Sequence, residues 1–195
     1  MLAYPLLFDP HLMKNKVFGY TTYSGDVYAV TCGYFVWDIV YVLVQGQHMS
    51  FLLHGIACLA VFLYSYTPFL NYYGAVFLMF ELSTPFLNLV YFMDKCSYSK
   101  TLMFKLNGIV LLLVFFLVRI VFGLYMSVKT FESVITEGYR APLHLMALYG
   151  SANVALNLLN QLWFYKLVCL FVRKLNYYDR SLTSPHSSPA KNVTS

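Results

Sequence analysis

Charge is what this sequence has least of. Only 11% of its residues are Asp, Glu, Lys or Arg, where an ordinary globular domain carries about 25%. That scarcity excludes a soluble surface of the usual kind. The sequence also lacks cysteines at metal-ligand spacing: Cys32, Cys58, Cys96 and Cys169 stand apart and read as reduced thiols, three of them inside apolar runs. No glycine-rich phosphate loop, nucleophile elbow or zinc-protease motif occurs. The start has no basic front before its short apolar stretch, so no cleavable signal is expected. No solenoid repeat is visible.

Apolar residues take the place of the missing charge. They make up 59% of the chain, with a mean hydropathy of +0.62. An aqueous fold of this length cannot hide so much apolar surface, but a bilayer can. The expected fold class is therefore all-α: a polytopic transmembrane helix bundle of about five spans. A span needs roughly 20 mainly apolar residues, and the candidate runs are 28–44, 51–66, 72–93, 102–126 and 143–172. The expected organisation is a lumenal or interfacial segment over 1–27, a transmembrane domain over 28–172 and a disordered, Ser- and Pro-rich cytosolic tail over 173–195. Tyr64, Tyr66, Phe69, Tyr72 and Tyr73 gather where two spans meet, as interfacial aromatic belts do.

The net charge of +5 does not form a stripe, so no nucleic acid is expected as a partner. Lys95, Lys100 and Lys105 fall after the third span, with Arg173, Lys174, Arg180 and Lys191 in the tail. Lys14, Lys16, Lys129 and Arg140 fall on the other side. The larger group marks the cytosolic face and puts the C-terminus there. A sequon at Asn192-Val193-Thr194 would then be unused.

The polar groups inside the runs carry the functional signal. A charged side chain at mid-bilayer costs about 2.5–3.5 kcal/mol, so it usually faces a partner or a wet cavity. Asp38, Glu81 and Arg119 are such residues. They read equally as a structural ion pair, with Asp38 and Arg119 as one candidate pairing, or as a cavity that meets a lipid. In the third run Glu81, Thr84, Pro85 and Asn88 are spaced i, i+3, i+4 and i+7, one face of a helix. Pro85 brings a bend and a freed carbonyl at Glu81. His54 precedes Cys58 by one turn, too little for a metal site. Asn153, Asn157 and Asn160 form a stripe that reads first as glue between helices.

The order of motifs resembles a known family. Gly33-Tyr34-Phe35-Val36-Trp37-Asp38, Phe51-Leu52-Leu53-His54-Gly55, Glu81 to Asn88, and Asn107-Gly108 followed by Phe116-Leu117-Val118-Arg119 are similar to the TLC domain, shared by ceramide synthases and several lipid-homeostasis proteins of the endoplasmic reticulum. Within it the chain most resembles the branch that is not ceramide synthases, in a fungal-looking form, apparently without one or two leading helices. The resemblance implies an endomembrane protein whose helices surround a lipid-accessible cavity, with Asp38, His54, Glu81, Thr84, Asn88 and Arg119 as cavity candidates and Pro85, Asn153, Asn157 and Asn160 in helix packing. Membrane lipids are the expected partners, with a second copy or other membrane proteins of the endoplasmic reticulum as alternatives, and no cofactor or metal is expected.

Two rival readings remain. One is N-acyl transfer of the ceramide synthase kind, using acyl-CoA and His54 as base beside Glu81 or Asp38. Ceramide synthases, however, carry adjacent histidines where this chain has Leu53-His54. The other is a cargo receptor or adaptor, and the tail lacks the dilysine ending that such cycling would use.

Overall fold

The structure is a computed structural model that describes residues 2–183, with side chains through residue 174. Five helices are long and apolar enough to cross a membrane: span 1 (Thr22–Val44), span 2 (Met49–Tyr66), span 3 (Asn71–Lys95), span 4 (Leu102–Arg140) and span 5 (Leu143–Lys174). The described residues contain no strand. The chain is thus an all-helical, multi-pass membrane bundle.

The span starts follow from capping. At span 1 the Thr21 hydroxyl accepts from the Ser24 amide and the Ser24 hydroxyl accepts from the Thr21 amide, which satisfies two amides that a helix start leaves without intrahelical partners. This box starts the helix at Thr22, ahead of the apolar run at 28, because Ser24 and Asp26 mask the first turns in a hydropathy reading. At the starts of spans 2 and 4 the His48 and Thr101 side chains each accept one amide, from Ser50 and Phe104. Span 4 outlasts its apolar run and continues to Arg140, its exposed end carrying a Lys129–Glu132 pair at 2.7 Å. The helix of span 5 runs to Thr183, past the boundary expected at 172, and residues 184–195 of the expected tail lie outside the described residues.

Span 1 lies along span 2, span 2 on span 5, span 5 on span 4, and span 4 on span 3. Specific bonds tie span 5 to span 2, span 4 to span 3, and span 5 to span 3. Tyr149 donates to the Val61 carbonyl at 3.0 Å, Asn107 to the Phe86 carbonyl at 3.0 Å, and Lys174 meets Asp94 at 2.6 Å.

The N-terminal segment closes one end of the bundle. A 3-10 turn (Tyr4–Phe8) and a short helix (Pro10–Lys14) seat Leu6, Leu12 and Val17 with no exposed surface at all. Burial of this kind is worth about 1.5–3 kcal/mol per large aliphatic side chain. Phe69 and Tyr73, expected in an interfacial belt, are instead buried with Val17, Leu70, Ala141 and Leu145, because this segment covers them. Tyr64 and Tyr66 stay exposed. The Leu70 amide bonds the Val17 carbonyl at 2.6 Å, and Leu70 adopts φ +58°, a left-handed conformation that a leucine adopts only when its surroundings impose it.

Tyr28 locks span 1 to span 3: it is fully buried and its hydroxyl donates to the Asn71 carbonyl. Tyr28→Phe is expected to lower stability by about 1 kcal/mol, the usual worth of one such bond. Thermal unfolding in detergent measures this, and an unchanged midpoint would show the bond to be idle.

Candidate functional site

The polar heart of the bundle is built by two departures from α-helix. In span 3, Met79–Ser83 winds as a 3-10 turn. There the Thr84 amide bonds the Glu81 carbonyl, one residue closer than an α-helix would, which leaves the Phe80 carbonyl available to a side chain. In span 4, Phe116–Phe122 winds as a π-helix, a wider turn that often occurs at functional places. Arg119 sits in its middle and is only 5% exposed.

Arg119 gathers three helices. Its Nε donates to the Phe80 carbonyl at 2.9 Å and lies 3.0 Å from Ser83 Oγ. Nη1 donates to Asn160 Oδ1 of span 5 at 3.1 Å. Nη2 donates to Glu81 Oε1 at 3.2 Å and lies 3.5 Å from Thr84 Oγ1. Thr84 in turn donates to Glu81 Oε2 at 2.6 Å. The guanidinium also stands over the Phe115 ring, 5.1 Å from its centre. Each face of the cation is satisfied, which is how a charge becomes tolerable in a low-dielectric interior.

Beside this network runs a cavity of about 90 Å³. Its far walls are apolar, with Phe69, Phe77, Phe131, Met146 and Leu156. Its polar end has His54, Glu81, Asn153, Asn157 and Asn160. The His54 ring meets Phe35 and Trp163 edge-on, at 5.9 and 5.1 Å, and its nitrogens lie 3.8 Å from Cys58 Sγ. Asn157 donates to Ser127 Oγ at 2.8 Å, a bond from span 5 to span 4.

The family is decided by sequence: the TLC domain profile matches residues 1–169. The chain belongs to the TLC domain family. An uncharacterized TLC domain-containing protein of Schizosaccharomyces pombe is 40% identical over 92% of this chain and 63% of its own length. Topoisomerase I damage affected protein 4 of Saccharomyces cerevisiae is 35% identical over 84% of this chain and 61% of its own length. TLC domain-containing protein 4 of Xenopus tropicalis is 32% identical over 97% of this chain and 73% of its own length. The chain thus spans about three-fifths of the length of these two fungal relatives. These relatives lie in the branch outside the ceramide synthases. No solved structure matches the chain.

Within this TLC domain the singled-out residues separate. Glu81, Thr84, Arg119 and Asn160 form one network, and His54, Glu81, Asn153, Asn157 and Asn160 line the cavity. Asp38 does not meet Arg119, which has Glu81 as its carboxylate. It is half-buried beside Gly55, where a Cβ would lie 3.4 Å from Asp38 Oδ2. Asn88 is exposed on the last part of span 3 and lies off the cavity. The expected single face over 81–88 is split because a 3-10 turn advances about 120° per residue and an α-helix about 100°. Pro85 falls in the first turn of the α-helix that follows, where its missing amide is harmless. Sequence reasoning did not reach the Phe80 carbonyl, since a backbone acceptor leaves no mark in residue type; the Ser83 hydroxyl donates to that same carbonyl at 3.3 Å.

Proposed function

We propose that this chain holds a membrane lipid within its bundle and acts on membrane lipid composition through that binding. The observation behind this reading is the cavity itself: narrow, apolar along most of its length and polar at one end. From Met146 to Asn160, both on its wall, span 5 rises about 21 Å. A cavity of about 90 Å³ with one polar end suits part of a single apolar chain rather than a whole lipid.

Acyl transfer is less well supported. A general base needs its partner within hydrogen-bond reach, and among the described residues His54 has ring contacts and a sulfur neighbour but no carboxylate bond. Both Glu81 oxygens already serve Arg119 and Thr84.

The proposed location is the endoplasmic reticulum, with the C-terminus cytosolic. Span 2 has 18 residues, about 27 Å of helix, which suits the thinner bilayer of that organelle. The Lys and Arg distribution supports the orientation.

Gly150 supplies the test. It lines the cavity, and a Cβ placed there meets only Phe131 Cε1 at 3.7 Å, an ordinary contact. Gly150→Leu should therefore fold and fill the slot. Native mass spectrometry is expected to find co-purified lipid on the parent protein and several-fold less on the variant. Equal retention by a folded variant would defeat the reading.

A further inference from the structure

We infer that the open cleft between the N-terminal segment and the end of span 4 holds the head group of an ammonium-bearing phospholipid. The phosphate lies against Lys14 and Arg140, and the amine against Glu137. This site is separate from the internal cavity. The two spaces share no lining residue, and the Phe18 ring of the cleft stands 6.0 Å from the Phe69 ring of the cavity wall.

The cleft has room and fixed walls. Its volume is about 720 Å³, within the range of small-molecule sites. One wall comes from residues between 11 and 20, the other from residues between 136 and 140. In the first wall Asn15 Oδ1 accepts from the Phe18 amide at 2.9 Å, and the Gly19 amide donates to the Asn15 carbonyl at 2.8 Å. The Gly19 carbonyl in turn accepts from Nδ2 of the buried Asn71 at 3.2 Å. A Cβ at Gly19 would collide with the Asn15 carbonyl, so this close turn requires glycine. The second wall is a 3-10 turn (Gly138–Arg140), closed by the Ala141 amide on the Gly138 carbonyl at 2.8 Å.

The charges on these walls do not cancel one another. Arg140 Nε donates to Tyr139 Oη at 3.1 Å, and the guanidinium stands 5.3 Å from the centre of the Tyr139 ring. Nη1 and Nη2 then have no partner among the described residues, and such a pair of donors grips phosphate oxygens. Lys14 and Glu137 also line the cleft. The ion pairs among the described residues are Arg119–Glu81, Lys129–Glu132 and Lys174–Asp94, so neither Lys14 nor Glu137 is in one. Two cations and one carboxylate around one open space suit a ligand of the reverse charges, a phosphate with an ammonium near it. A plain anion would also face Glu137. The source is the bilayer. Spans 1 and 5 begin and span 4 ends at the cleft, which successive crossings put on one face of the membrane. Tyr4, Phe8, Tyr20 and Tyr139 are exposed on that face, where aromatic side chains sit at head-group level.

The test gives the full chain in detergent equal amounts of dioleoyl phosphatidylethanolamine, phosphatidylglycerol and diacylglycerol, read by native mass spectrometry. Phosphatidylethanolamine is expected to be retained about three-fold over phosphatidylglycerol, because exposed charge contacts are individually weak, with diacylglycerol last. Lys14→Gln combined with Arg140→Gln should bring phosphatidylethanolamine down to the level of diacylglycerol. Glu137→Gln should reverse the order of the two phospholipids. All three side chains are exposed, so these variants should fold. Lys129→Gln, which removes a charge from span 4 away from the cleft, should leave the order as it is. Lipid in the internal cavity does not meet Lys14 or Arg140, so the loss reports this cleft alone. Undiminished phosphatidylethanolamine on the double variant would overturn the site. Equal retention of the two phospholipids by the parent protein would overturn the role of Glu137. Glycerophosphoethanolamine, the head without its chains, should displace the lipid only in large excess; displacement at equal concentration would overturn the bilayer as the source and make the ligand a soluble phosphate ester.

Discussion

Glu81→Gln is expected to lower the stability of the bundle by about 3 kcal/mol, the range found when one member of a buried ion pair is removed. Arg119 is 6% exposed at its side chain and Glu81 27%, so water does little to compensate the cation once its carboxylate is gone. For a chain of this length that corresponds to a fall of roughly 6–12 °C in unfolding midpoint. Asp38→Asn should change the midpoint by far less, since Asp38 has no ion-pair or hydrogen-bond partner among the described residues. The double variant Glu81→Leu with Arg119→Leu should be less damaged than Glu81→Gln alone, because it leaves no uncompensated charge. Were Asp38→Asn the more damaging of the two single changes, the assignment of Glu81 as the counter-charge would be wrong.

Gly123→Leu is expected to cost about 2 kcal/mol, in the range for overpacking a filled interior. Gly123 opens the α-helix after the π-helical turn, and a Cβ there would sit 2.8 Å from Phe80 Cζ and 3.1 Å from Cε1. The Phe80 ring is itself held edge-on by Phe77, 5.4 Å away. Making room means turning the Phe80 ring against Phe77, and that ring is part of the cavity wall. The substitution should therefore reduce lipid retention along with the melting temperature. A variant that melts and retains lipid like the parent would show that the ring swings aside freely.

These two residues also mark the limit of what the sequence discloses. The spans were legible because apolar runs of membrane length have few other uses. Arg119 was legible as a buried charge needing a partner, and the Asn157 and Asn160 stripe as a source of bonds between helices. The choice between Asp38 and Glu81 was not legible. It depends on a 3-10 turn at 79–83 and a π-helix at 116–122, and helical periodicity assumes 3.6 residues per turn throughout. The same assumption placed Asn88 with Glu81. The burial of Phe69 and Tyr73 was hidden for another reason: the segment that covers them is distant in sequence, and aromatics at span ends look alike whether they face head groups or protein.

The bridge between Glu81 and Arg119 has a consequence for biogenesis. Its two members lie on successive spans, joined only by the short connection from Cys96 to Thr101. A translocon that released span 3 into lipid by itself would release a carboxylate with no counter-ion, at about 2.5–3.5 kcal/mol for a charge near the helix centre. Span 4 is the most apolar of the five despite its arginine, and it follows at once. The pairing makes the two spans one hairpin unit of insertion, in which the strongly apolar second arm carries the weaker first arm into the bilayer.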